Sequence, residues 1–210
     1  MIAALALLAL SAVPEGAVLL DGVAAVVDRE VITRSDVERS ARLALLRRGG
    51  AAEGLRAPVD DGLRAAVLNL LIVEELVLLD GRRRQRFPET DEDVRRHATA
   101  VRARFASDAQ FEEFLRATQL PEPEFMEMMR REARVDRLVG EQMAGATVTD
   151  DDVARLVAEH PELQGHPDEA RAAALHARRQ QAAFEYVEHL RKNANIRVVA
   201  RYLVPTEDAR

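Results

Sequence analysis

The stretch Asp21-Gly22-Val23-Ala24-Ala25-Val26-Val27-Asp28-Arg29-Glu30-Val31-Ile32-Thr33-Arg34-Ser35-Asp36-Val37 decides how this chain is organised. Its β-branched runs fit a pleated surface, and the polar break at Asp28-Arg29-Glu30 turns one run back on the other. The break lacks the Asn-Gly pair that a tight type I′ turn prefers, so the spacing leaves the register open over Val18 to Thr33. A second β-branched run, Ile196-Arg197-Val198-Val199, lies near the other end of the chain after Lys192-Asn193-Ala194-Asn195. Almost everything between is made of helix formers. A closing strand that returns to the first hairpin makes the intervening helices one cooperative body. The predicted fold is mostly α, with a small β-sheet formed by an N-terminal hairpin and a C-terminal strand.

Composition narrows the functional classes. The 210 residues suffice for one sizeable core, and 48% hydrophobic with 31% charged residues marks a globular chain. Acids outnumber bases by 36 to 30, which removes the electrostatic footprint of a nucleic-acid binder. Aromatics are 4% and Trp is absent, so base-stacking platforms are not expected. Without cysteine there are no disulfides, thiolate zinc sites or cysteine nucleophiles.

Met1 opens an apolar run to Val13 that suits a signal-peptide core and is too short to span a bilayer. Ala9 and Ser11 offer small residues for cleavage, although a basic leader is missing. Export is the expectation, with residues 1–17 removed; a buried N-terminal helix is the alternative.

Helix signals then recur. Ser35 with Glu38 reads as a capping box opening a helix through Leu46 that stops at Gly49-Gly50. The next helix, roughly Val59 to Arg84, is apolar on most sides and reads as the central buried helix. Asn69, Glu74 and Glu75 interrupt its apolar run and argue against a membrane span. Thr90 with Asp93 caps another helix, and Ser107 with Gln110 a short one carrying Phe111, Phe114 and Leu115. Pro121 and Pro123 open a helix to Met143, and Thr149 with Asp152 the next, to His160-Pro161. His166-Pro167 starts the last long helix, ending near Lys192.

The order of these motifs resembles the SurA-type periplasmic chaperones, a family that includes PrsA-like and PpiD-like foldases. The resemblance is carried by Val23–Val27 with Glu30–Thr33 as opening strands and by Leu68–Leu78 as the central helix. Thr90 through Phe105, Phe111, Leu115, Leu120, Phe125 and Met129 to Asp150 follows the family's next helices. Phe184–Arg191 into Ile196–Val198 is similar to its returning helix and final strand. On this resemblance, residues 18–204 form a SurA-like chaperone module, preceded by the leader and followed by a tail at 205–210. Many members insert a parvulin prolyl-isomerase domain before the returning helix. Here only Glu162-Leu163-Gln164-Gly165-His166 stand at that point, too few for such a fold.

No catalytic pattern stands out. The five histidines lack a His-Glu-x-x-His spacing, the serines lack a nucleophile elbow, and Gly49-Gly50 has no P-loop lysine. No enzyme activity, cofactor or metal is expected. Prolyl isomerisation follows from family naming alone. The resemblance implies an ATP-independent periplasmic holdase for apolar segments of unfolded exported or outer-membrane proteins; a subunit gripping one dedicated partner helix is the alternative. Phe125 and Met129 share a helix face and read as core, whereas Met126 and Met128 lie off it and Phe114 lies at the edge of its own stripe. Phe114, Met126 and Met128 are therefore the candidate peptide-binding residues, because flexible Met side chains suit varied partners. A terminal strand that completes a sheet also makes a homodimer by strand exchange possible.

Overall fold

A computed structural model of the chain describes residues 21–199. The leader at residues 1–17, the start of the predicted hairpin at Val18 and the tail at 205–210 lie outside the described residues.

Strands β1 (Val23–Val27) and β2 (Glu30–Thr33) form the expected hairpin. Its two-residue turn places Asp28 at φ 55, a left-handed conformation that Asp tolerates better than most residues. Asp28 is also held from outside: its amide donates to the Asn195 carbonyl at 2.8 Å, and its Oδ1 accepts from the Asn195 amide at 2.9 Å. These bonds bring in strand β3 (Ile196–Val198), antiparallel to β1, so the sheet order is β2-β1-β3. The first and last described elements thus pair as predicted.

Helix α1 (Arg34–Arg56) follows β2 without a loop, and this moves its cap. Thr33, not Ser35, is the capping residue: extended at φ −92, it accepts from the Asp36 amide, while Asp36 accepts from the Thr33 amide. Thr33-x-x-Asp36 and Ser35-x-x-Glu38 satisfy the same sequence pattern. The extended backbone of a strand end selects the first. The predicted stop at Gly49-Gly50 is a kink at Gly50 (φ 81, ψ −171), after which helix resumes to Arg56. Arg42 reaches the carbonyl of Ala57 at 2.8 Å and so binds the returning segment to the first part of α1.

Helix α2 (Asp61–Arg83) is capped by Asp60, and α3 (Asp91–Arg102) by the Thr90–Asp93 box. Helix α4 (Asp108–Ala117) begins at Ser107, and α5 (Glu122–Ala144) at Pro121, which offers no side-chain cap. Helix α6 (Asp150–Glu159) uses Thr149 with Asp152. A 3-10 turn, Pro161–Leu163, leads to α7 (Pro167–Asn193), so no domain is inserted between α6 and α7. Tyr186 of α7 donates to Asp80 of α2 at 2.5 Å, and Arg191 donates to Asn69 at 2.6 Å, seating the returning helix on the central one.

Two apolar cores result. The first joins the inner sheet face (Ala25, Val27, Ile32) to Leu45, Leu68, Leu76 and Leu138. The second joins Leu43 and Leu46 of α1 to Val94, Phe111, Phe114, Phe125 and Met129. Helices α1 and α5 contribute to both. Asp93 ties the second core together: besides its cap bonds it accepts from Arg137 of α5 at 2.9 and 2.7 Å. That guanidinium, followed by the Thr90 backbone, holds the Asp93 carboxyl well below the usual carboxylate range.

Candidate functional site

A groove runs along the seam between the two cores, with a cavity of about 310 Å³. Its floor is one stripe of α2: Val67, Leu70, Leu71, Glu74 and Glu75, spaced as successive turns of one helix face. One wall is the α1 stripe Asp36, Arg39, Ser40, Leu43, Ala44 and Arg47. The other is the α5 stripe Glu124, Glu127, Met128, Arg131 and Glu132, with Leu120 just before the helix. The end is closed by Glu30, Val31 and Ile32 of β2.

Ion pairs span these walls. Arg39 meets Glu124 at 2.9 Å and Arg47 meets Glu132 at 2.6 Å, eight residues further along both helices, so α1 and α5 run in the same direction. Arg131 of α5 reaches Glu75 of α2 at 2.8 Å, and Arg82 reaches the same carboxylate at 2.6 Å. Glu75 is thus a buried carboxylate with two arginine partners. Glu74, one residue earlier, has no such partner. Burial, followed by the neighbouring Glu132 charge, pushes its carboxyl up to about 7, against the opposing pull of Arg131 and Arg47.

The raised carboxyl carries a sign for stability. The folded state keeps the Glu74 proton up to about pH 7, whereas the unfolded chain releases it near 4.5. Stability therefore falls as pH rises through that window, and the penalty is complete above it. Glu74→Gln is expected to raise the melting temperature at pH 8, by a gain on the order of 2 kcal/mol, and to leave it nearly unchanged at pH 4. Thermal melts of both proteins at the two pH values check this. An equal shift at both would show that the carboxyl is not protonated in the folded state.

The three residues read from the sequence do not form one surface. Phe114 has no exposed area and packs at 5.4 Å (ring centroids) from Phe105, so it belongs to the core and is withdrawn as a contact residue. The edge of the α4 stripe meets Phe105 in the segment after α3, a contact that helix periodicity does not reveal. Met126 is half-buried against the same core, outside the groove lining. Met128 is half-buried and does line the groove. Sequence reading missed Leu70 and Val31, which are 54% and 52% exposed at the groove. Leu70 sits inside an apolar run that reads as buried throughout. Its only signal is a shared helix face with Glu74.

The family model for the SurA-like N-terminal domain matches residues 1–139. The chain belongs to this family. The SurA-like region contains every groove-lining residue, from Glu30 to Glu132, whereas α6, α7 and β3 follow it. No match was found among curated proteins. Among the described residues, no group of three or more His, Cys, Asp or Glu side chains is placed to hold a metal ion. No described helix is long and apolar enough to cross a membrane.

Proposed function

We propose that the protein is an ATP-independent holdase of an extracytoplasmic compartment, the periplasm, and that its groove shields apolar segments of unfolded exported or outer-membrane proteins. The observation that carries the reading is the exposure of Leu70 and Val31 at an apolar groove lying wholly within the SurA-like region. Large apolar side chains left half in water gain about 25 cal/mol for each Å² a client covers. Holding needs no bond made or broken, so no catalytic group is required.

The test is light scattering of several unrelated unfolded proteins without nucleotide. Aggregation of all of them is expected to slow at stoichiometric amounts of the protein. Protection of one protein alone would instead indicate a dedicated assembly partner, and protection of none would end the holdase reading. In parallel, a prolyl-peptide assay is expected to show the uncatalysed rate. The X-Pro barrier is about 18–20 kcal/mol, and α6 passes to α7 with no isomerase domain between them.

A further inference from the structure

We propose that the outer edge of β2 pairs with an extended, cationic and apolar segment of the client, which adds to the sheet as a fourth strand. The proposal rests on the groove being the holding site and says how a segment lies in it. Three observations carry it. First, β2 is an outer strand of the sheet in the order β2-β1-β3. With Val27 opposite Glu30 across a two-residue turn, Glu30 and Ile32 turn their backbone groups toward β1, and Val31 and Thr33 turn theirs outward. The outward amide of Thr33 is used by the Asp36 carboxylate at 2.9 Å, which leaves Val31 to offer its N–H and C=O to a newcomer.

Second, the groove touches Glu30, Val31 and Ile32 in succession. Neighbouring residues of a strand point to opposite faces, so a cavity that meets three in a row lies along the strand's edge. A segment paired with Val31 therefore runs beside Leu70, Leu71 and Met128, which take its alternate side chains. Third, the lining holds seven carboxylates against three arginines; Arg82 and Arg130 pair from outside it with Glu30, Glu75 and Glu127, which leaves a small negative excess. That excess favours Lys or Arg beside the apolar residues of the occupant. The edge carries neither Pro nor Lys, the usual guards against strand pairing.

The probe is a fluorescent, end-blocked octapeptide alternating Val and Lys, measured by anisotropy against the full chain. Two further peptides carry N-methyl groups on one or the other alternate set of residues, which removes strand donors and leaves the side chains in place. One set is expected to weaken binding about tenfold, the value of one lost backbone hydrogen bond, and the other to bind nearly as the parent. Val31→Pro, which removes the outward N–H, is expected to match the weakened peptide. In hydrogen exchange the Val31 amide is expected to be fast alone and slow with peptide. Equal binding of both methylated peptides overturns strand addition while the holdase reading stands; the peptides decide this whether or not Val31→Pro folds. A Val31 amide already slow without peptide also overturns it, because the edge is then covered by the chain itself or a second copy. Equal binding of a Val-Glu octapeptide overturns the charge preference. Loss of client protection in the scattering assay is the separate failure of the holdase reading.

Discussion

Phe114→Ser is expected to be among the most damaging single changes in the described part of the protein. The side chain is fully buried, and its ring packs against Phe105 in a core that includes Phe111 and Phe125. Truncating such a ring costs about 3–5 kcal/mol, and the buried hydroxyl adds the loss of its water partners. Against a typical total of roughly 5–15 kcal/mol this lowers the melting temperature by about 10 °C or more. Met126→Ser and Met128→Ser remove half-buried side chains, and each is expected to cost about 1 kcal/mol. Thermal unfolding followed by circular dichroism separates the three. A Phe114→Ser protein that melts with the wild type would show α4 turned over, with Phe114 at the surface.

Leu70→Asp is expected to have the largest effect on holding. Leu70 is 54% exposed at the floor of the groove, so its loss removes little of the folded core. A client that covers it buries about half of a leucine side chain, and an aspartate there would have to give up its water to lie under the client's apolar side chains. On the order of tenfold more protein is then needed for half-protection of a client, with a melting temperature near that of the wild type. Phe184→Asp is the control. Phe184 is 61% exposed on α7 and outside the groove lining, so its replacement is expected to leave protection intact. If Phe184→Asp abolishes protection and Leu70→Asp does not, the holding surface lies on the returning helix.

The two variants also mark the boundary of what could be read from the chain. Helix periodicity put Phe114 at the edge of a stripe, where the structure buries it, and made no distinction for Leu70 within the helix read as centrally buried, where the structure exposes it. Leu68 and Leu70 are identical residues two apart in one apolar run, yet Leu68 is 1% exposed and Leu70 54%. Two helical steps turn a side chain to nearly the opposite face, and a run that is apolar all round does not say which face will be covered.

By itself the sequence determined those features whose partners are a few residues apart. Thr90 with Asp93, Thr149 with Asp152 and Ser107 are settled by local hydrogen bonds, and each stands where its residues place it, whereas the stop read at Gly49-Gly50 is only a kink. The pairing of β1 with β3 was also legible, because few other β-branched runs compete for it. Even so, the choice of Thr33 over Ser35 as a cap waited on the conformation of the preceding strand. The groove belongs wholly to the tertiary structure. Its stripes at residues 36–47, 67–75 and 120–132 each mix apolar and charged side chains, and none is distinctive alone. They become a site only when α1 and α5 stand apart over α2, held by arginine–glutamate pairs whose partners are distant in sequence. Burial is a property of what covers a residue, and that cover comes from elsewhere in the chain.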